Sequence, residues 1–89
     1  MLSEIDKQII VDTARKYNVP AIYLFGSSLN DETIAHDIDL GVLGISPGLF
    51  IEFYTELFKK LPKPVDLIDL SKPAFFNKLI LRDGIRVYG

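Results

Sequence analysis

Residues 24–42 read LFGSSLNDETIAHDIDLGV. The stretch leaves one apolar run, Ala21-Ile22-Tyr23-Leu24-Phe25, and finishes inside another, Ile38 to Leu43. Between them lie Gly26-Ser27-Ser28 and the triplet Asp37-Ile38-Asp39. Short continuous apolar runs mark strands covered on both faces. Charge is normally kept out of such strands, so two acids at the head of one require a reason. Residues i and i+2 of a strand share a face. Asp37 and Asp39 therefore project together, while Ile38 and Leu40 point to the other side. Two carboxylates this close repel each other, and a divalent cation between them removes the repulsion. Oxygen-only donors suit Mg²⁺ or Mn²⁺ rather than zinc. A third acid, Asp66, stands in the later apolar run Val65 to Leu70 of PVDLIDL, where it too reads as planted in a core. If the strands are neighbours, Asp66 completes a three-carboxylate site. Asp69, three residues on, faces the opposite way and is not assigned to it.

Working outward, residues 2–17 read as an amphipathic helix. Leu2, Ile5, Ile9, Ile10, Thr13 and Tyr17 fall on one side, and Glu4, Gln8 and Arg15 on the other. Asn18-Val19-Pro20 stops it. Gly26 ends the first strand, and residues 27–30 start a short helix with Ser27 as its N-cap. Asn30-Asp31-Glu32-Thr33 is loop-like. After Gly44, Ser46-Pro47 combines a capping side chain with proline at the first helical position. Phe50, Phe53, Leu57 and Leu61 mark the apolar face of that helix, and Lys59 and Lys60 suit its C-terminal dipole. Pro62 and Pro64 end it. A third strand spans Val65 to Leu70. Ser71-Lys72-Pro73 opens a last helix through Phe75, Phe76, Leu79 and Ile80, with Gly84 as its C-terminal cap. Ile85-Arg86-Val87-Tyr88 alternates like a half-exposed edge strand. The order α-β-(α)-β-α-β-α-β predicts a small α/β fold, with helices packed on a mixed sheet.

The chain has 89 residues, 48% of them hydrophobic, with a net charge of −2. This length fits a single domain over residues 1–89, without a second lobe to hold an acceptor. The lack of a basic block argues against a duplex nucleic-acid face. There is no cysteine, so no disulfide and no Cys-based zinc site can form. A single histidine, His36, cannot build a cluster. The first residues carry acids where a signal peptide is basic and then apolar. No run approaches the ~18 apolar residues of a membrane span. A cytoplasmic, membrane-free protein is expected.

Each part of the pattern has a plainer reading. Asp-x-Asp can be a solvated strand end, Ser27 a simple cap, and His36 an exposed loop residue. Lys59, Lys60 and Lys63 read as a solvated helix end, and Tyr17, Tyr23, Tyr54 and Tyr88 as packing residues. The joint order carries the signal: strand, Gly-Ser turn, Asp-x-Asp in the next strand, isolated Asp in the strand after.

That joint order resembles the nucleotidyltransferases of the DNA polymerase beta superfamily. At this length it is similar to the minimal nucleotidyltransferase (MNT) domain proteins of bacteria and archaea. The resemblance runs over nearly the whole chain, through LFGSS, HDIDLGV, VDLIDL and the closing LILRDGIRVYG. It implies that Gly26 and Ser27 hold nucleotide phosphates and that Asp37 and Asp39 bind metal. It also implies that Asp66 is both a metal ligand and the base for an attacking hydroxyl. The expected activity is Mg²⁺-dependent transfer of AMP from ATP to a hydroxyl, with Mn²⁺ as an alternative metal. The acceptor implied is a tyrosine of a helical HEPN-type partner, for which the protein acts as antitoxin. A homodimer is the alternative assembly. Two other readings stay open. One is a catalytically weak nucleotide-binding module that inhibits its partner by binding. The other is the nucleotide-binding subunit of a split antibiotic-type nucleotidyltransferase. The chain departs from the family pattern twice: His36 replaces the usual Ser, and Ser28-Leu29-Asn30-Asp31 supplies neither Arg nor a further Gly.

Overall fold

The computed structural model describes residues 2–29 and 37–89. The loop expected at Asn30-Asp31-Glu32-Thr33, and His36, lie outside the described residues. The elements in chain order are α1 (Glu4–Lys16), β1 (Ala21–Leu24), a one-turn 3-10 helix (Gly26–Leu29) and β2 (Ile38–Leu43). A second 3-10 turn (Pro47–Leu49), α2 (Phe50–Lys60), β3 (Val65–Asp69), α3 (Phe75–Asp83) and β4 (Ile85–Tyr88) follow.

Local chemistry sets the ends of α1. The Ser3 hydroxyl accepts from the Asp6 N–H at 3.1 Å, so Ser3 is the N-cap. Glu4 and Asp6 lie in the first turn, and Arg15 and Lys16 in the last, each at the favourable end of the helix dipole. At the other end Asn18 takes φ +56°. Its N–H bonds the Arg15 carbonyl at 3.2 Å, and the Val19 N–H bonds the Ala14 carbonyl at 2.9 Å. This is a Schellman ending with asparagine in the left-handed position. The Thr13 hydroxyl is buried and donates to the Ile9 carbonyl. Ile5, expected on the apolar side, is 76% exposed instead.

The sheet is mixed, in the order β3-β2-β1-β4. β1 runs antiparallel to both β2 and β4, and β2 runs parallel to β3. A parallel pair needs a crossover, and α2 provides it. The four residues of β1 are all buried, as its continuous apolar run predicts. Ile22 and Leu24 join Leu40, Val42, Phe53 and Leu57 in the larger core, beneath α1 and α2. Ala21, Tyr23 and Phe25 join Leu70 and Ile80 in a smaller core on the opposite face, beneath α3. Burying a side chain of Leu or Phe size is worth about 1.5–3 kcal/mol, so the larger core carries most of the stability.

Three expected helix ends are drawn differently. Ser46 precedes a 3-10 turn, makes no side-chain cap bond, and α2 proper starts at Phe50. α3 starts at Phe75 behind Ala74, after the Ser71-Lys72-Pro73 segment rather than in it. Gly84 stands at the end of α3 but with φ −72°, so it is not a left-handed cap. Glycine is needed there for proximity: a Cβ would lie 2.6 Å from the Ile80 carbonyl oxygen and 3.0 Å from that of Leu24. Among the described residues no helix is long and apolar enough to cross a membrane.

Candidate functional site

The parallel register of β2 and β3 pairs Asp39 with Asp66, between the pairs Ile38–Val65 and Leu40–Leu67. Partners in adjacent strands lie ~4.8 Å apart with side chains on one face. The flanking pairs enter the larger core, so Asp39 and Asp66 stand together on the opposite face. Exposure falls in the same direction along both strands. On β2 it runs from exposed Asp37 through half-buried Asp39 to buried Gly41. On β3 it runs from exposed Asp66 through half-buried Ile68 to buried Leu70. The carboxylates thus occupy the open end of the face whose other end α3 covers.

Asp66 was expected to be planted in a core, and the structure places it in solvent. β3 is the edge of the sheet, and Asp66 precedes the part of β3 that packs toward Ile80. Asp37 lies just ahead of β2 rather than within it. Among the described residues no three His, Cys, Asp or Glu side chains converge as a ready metal cage. The backbone brings Asp39 and Asp66 together directly, and Asp37 lies just ahead of the strand that carries Asp39.

The turn after β1 closes on the same spot. The Phe25 N–H donates to the Asp39 carbonyl at 3.1 Å, extending the β1–β2 ladder up to the turn. Gly26 then takes φ +64°, and a Cβ on it would sit 2.8 Å from Asp39 Oδ2. Two constraints therefore demand glycine here, left-handed backbone and contact with a carboxylate. The helix expected over 27–30 is a single 3-10 turn beginning at Gly26, so Ser27 lies inside it rather than capping it. One 3-10 turn has little dipole, and backbone N–H groups are what it offers an anion.

The donor set fits a hard divalent cation. Asp39 and Asp66 carry their carboxylates on neighbouring strands near solvent, and any side chain at residue 26 would crowd Asp39 Oδ2. Asp69 is occupied elsewhere: its Oδ1 accepts from the Ser71 N–H at 3.0 Å and the Ser71 hydroxyl at 2.7 Å.

Sequence reasoning passed over Asn77. It is buried, and its Nδ2 donates to the carbonyls of Asp69 at 3.1 Å and Lys72 at 2.9 Å. This pins α3 to the end of β3. The available signal was a polar residue amid Phe75, Phe76, Leu79 and Ile80. The tyrosines also do more than pack. The Tyr23 hydroxyl accepts from Arg86 at 2.8 Å, and the Tyr54 hydroxyl donates to the Val65 carbonyl at 2.7 Å.

Residues 7–89 match the family model described as polymerase beta, nucleotidyltransferase. No curated protein matches the chain significantly. Solved structures do. A chain of the toxin-antitoxin MntA-HepT crystal structure aligns with TM-score 0.73 at 24% identity, over 98% of this chain and 73% of that one. A chain of a toxin-antitoxin crystal structure with AMP-PNP aligns with TM-score 0.74 at 26% identity, over 93% and 73%. A third match comes from a tri-AMPylated Shewanella oneidensis HEPN toxin in complex with an MNT antitoxin. It has TM-score 0.75 and 24% identity, over 99% and 73%. These alignments establish a shared fold.

Proposed function

Because the chain belongs to the polymerase beta nucleotidyltransferase family, we propose that it transfers AMP from ATP to a hydroxyl of a HEPN-type partner protein, acting as the antitoxin of that pair. One observation carries this reading: Asp39 and Asp66 stand side by side in parallel register, with the Gly26 turn against the Asp39 carboxylate.

In the proposed reaction the acceptor hydroxyl oxygen attacks the α-phosphorus of ATP. The bond from that phosphorus to the bridging oxygen breaks, pyrophosphate leaves with the electron pair, and Asp66 takes the hydroxyl proton. Mg²⁺ held by Asp37, Asp39 and Asp66 would neutralise charge on the triphosphate and lower the pKa of the incoming hydroxyl. Backbone N–H groups of the 26–29 turn face the phosphates, with Ser27 adding its hydroxyl. The exposure of Asp66 on an edge strand supports a protein acceptor. A side chain carried by another macromolecule reaches an open sheet edge more easily than a buried cleft. The partner's identity extends to this chain the AMPylated HEPN toxin of the Shewanella oneidensis complex; a tyrosine as acceptor is what the family resemblance implies.

A second reading, inhibition of the partner by binding alone, draws support from the missing arginine after the Gly-Ser turn. One experiment separates the two. The chain is mixed with Mg²⁺, α-labelled ATP and the HEPN-type protein that co-purifies with it. The expected result is label on a partner tyrosine, with equimolar pyrophosphate, and its loss in Asp39→Asn. Complex formation without label or pyrophosphate would establish the inhibitory reading instead.

A further inference from the structure

α3 leaves two phenylalanines in solvent, Phe75 at 76% and Phe76 at 53% exposed. They are not equivalent. Phe76 meets the Phe25 ring edge to face, with centroids 5.8 Å apart. Together with Gly26, Leu29, Leu79 and Asp83 they line a cleft of about 220 Å³. Phe75 is not part of its wall. Whole drug-sized ligands take pockets of about 300–1,000 Å³, so this cleft suits a single ring system. Its chemistry is an aromatic and aliphatic lining with one acceptor group. The Arg82 guanidinium donates to Asp83 and holds that carboxyl below its usual range, so it accepts but does not donate.

Position decides what the ring belongs to. Gly26 lies in the wall of this cleft and also abuts the Asp39 carboxylate. The cleft thus shares Gly26 with the proposed phosphate and metal site. We infer that the Phe25–Phe76 cleft seats the nucleobase of the bound nucleotide, with the base lying on the Phe76 ring and its exocyclic amino group toward Asp83. This rests on the nucleotidyl-transfer reading and adds where the nucleoside end is held. It also explains the cost accepted at α3, where an aromatic residue stays half in water. Asn77 fixes the helix that carries Phe76, through its two bonds to the β3–α3 segment.

The test compares binding of Mg·ATP with binding of inorganic tripolyphosphate and Mg²⁺, by calorimetry, on wild type, Phe76→Ala and Phe75→Ala. Stacking of a base on an aromatic side chain corresponds to about 5- to 150-fold in affinity. Wild type should bind ATP more tightly than tripolyphosphate by a factor in that range. Phe76→Ala should lose most of that advantage while binding tripolyphosphate as wild type does, and Phe75→Ala should keep it. Phe76→Tyr should also keep it, since the ring remains. Phe76→Ala binding ATP as wild type does, or Phe75→Ala losing as much, overturns the cleft as base site while leaving the transfer reading intact. Wild type binding neither ligand overturns both.

Discussion

At the scale of single residues, Asp39 and Asp66 differ in role by where the backbone puts them. Asp39 is half-buried, in register with Asp66 and against Gly26. Asp66 is exposed, on the edge strand. Replacing Asp39 should therefore abolish both nucleotide binding and transfer. Asp66→Asn should keep much of the nucleotide binding yet slow label transfer by about 10²–10⁴-fold or more, the usual worth of a general base. Binding isotherms alongside single-turnover transfer rates check the split. Equal loss of both properties in both variants would contradict it. Gly26→Ala should fail differently. Left-handed backbone costs a non-glycine residue roughly 1–2 kcal/mol, and the added methyl crowds Asp39 Oδ2. Denaturant melts should show a loss of at least about that size, together with weaker nucleotide binding.

At the scale of elements, the sequence was informative where periodicity and punctuation agree. β1 reads as a strand covered on both faces because its apolar run is unbroken, and it is buried throughout. The stop at Asn18-Val19-Pro20 is equally plain, and the structure supplies its mechanism, a left-handed Asn18 with Val19 tucked into the core. Asn18→Val should cost about 1–2 kcal/mol in a urea melt, and Asn18→Gly should cost nothing or stabilise slightly. A valine variant as stable as wild type would count against this ending. What could not be read off was set by neighbours distant in sequence. Whether Asp66 lies in a core or at an edge depends on strand order, and β3 is outermost. Ile5 falls on the apolar side of α1 by period and proves exposed, and Phe75 at the start of α3 is equally exposed. Ser46 has the residue type of a cap but faces a 3-10 turn, whose geometry leaves it without a capping bond. Of the candidate site, the residue types and their spacing were legible. The pairing of Asp39 with Asp66, and the contact of Gly26 with Asp39, needed the register.

At the scale of the whole molecule, α1 and α2 are tied across the larger core by Glu56. It accepts from Lys16 at 2.8 Å, from Lys60 at 2.6 Å and from the Tyr17 hydroxyl at 3.1 Å. The lysine hydrogen bonds outweigh the opposing effect of burial and lower its pKa from 4.5 to about 2. A carboxylate whose folded pKa is depressed stabilises the fold above its unfolded pKa, and this contribution is lost as pH falls toward the folded value. Stability should thus decline between about pH 4.5 and pH 2, and Glu56→Gln should flatten part of that decline in urea melts taken across the range. The variant following the wild-type slope would exclude Glu56 as the cause.

The central claim is that the Gly26 turn, Asp37, Asp39 and Asp66 form one site for a metal-bound nucleoside triphosphate. The melting temperature of the chain with and without saturating Mg·ATP tests it most directly. A ligand at 100 times its Kd stabilises the folded state by about 2.7 kcal/mol, a rise of roughly 10–20 °C for a domain of this size. The account predicts that rise for wild type, far less with Mg²⁺ alone, and none in Asp39→Asn, which should itself remain folded. No rise in wild type, or the same rise in Asp39→Asn, would contradict it.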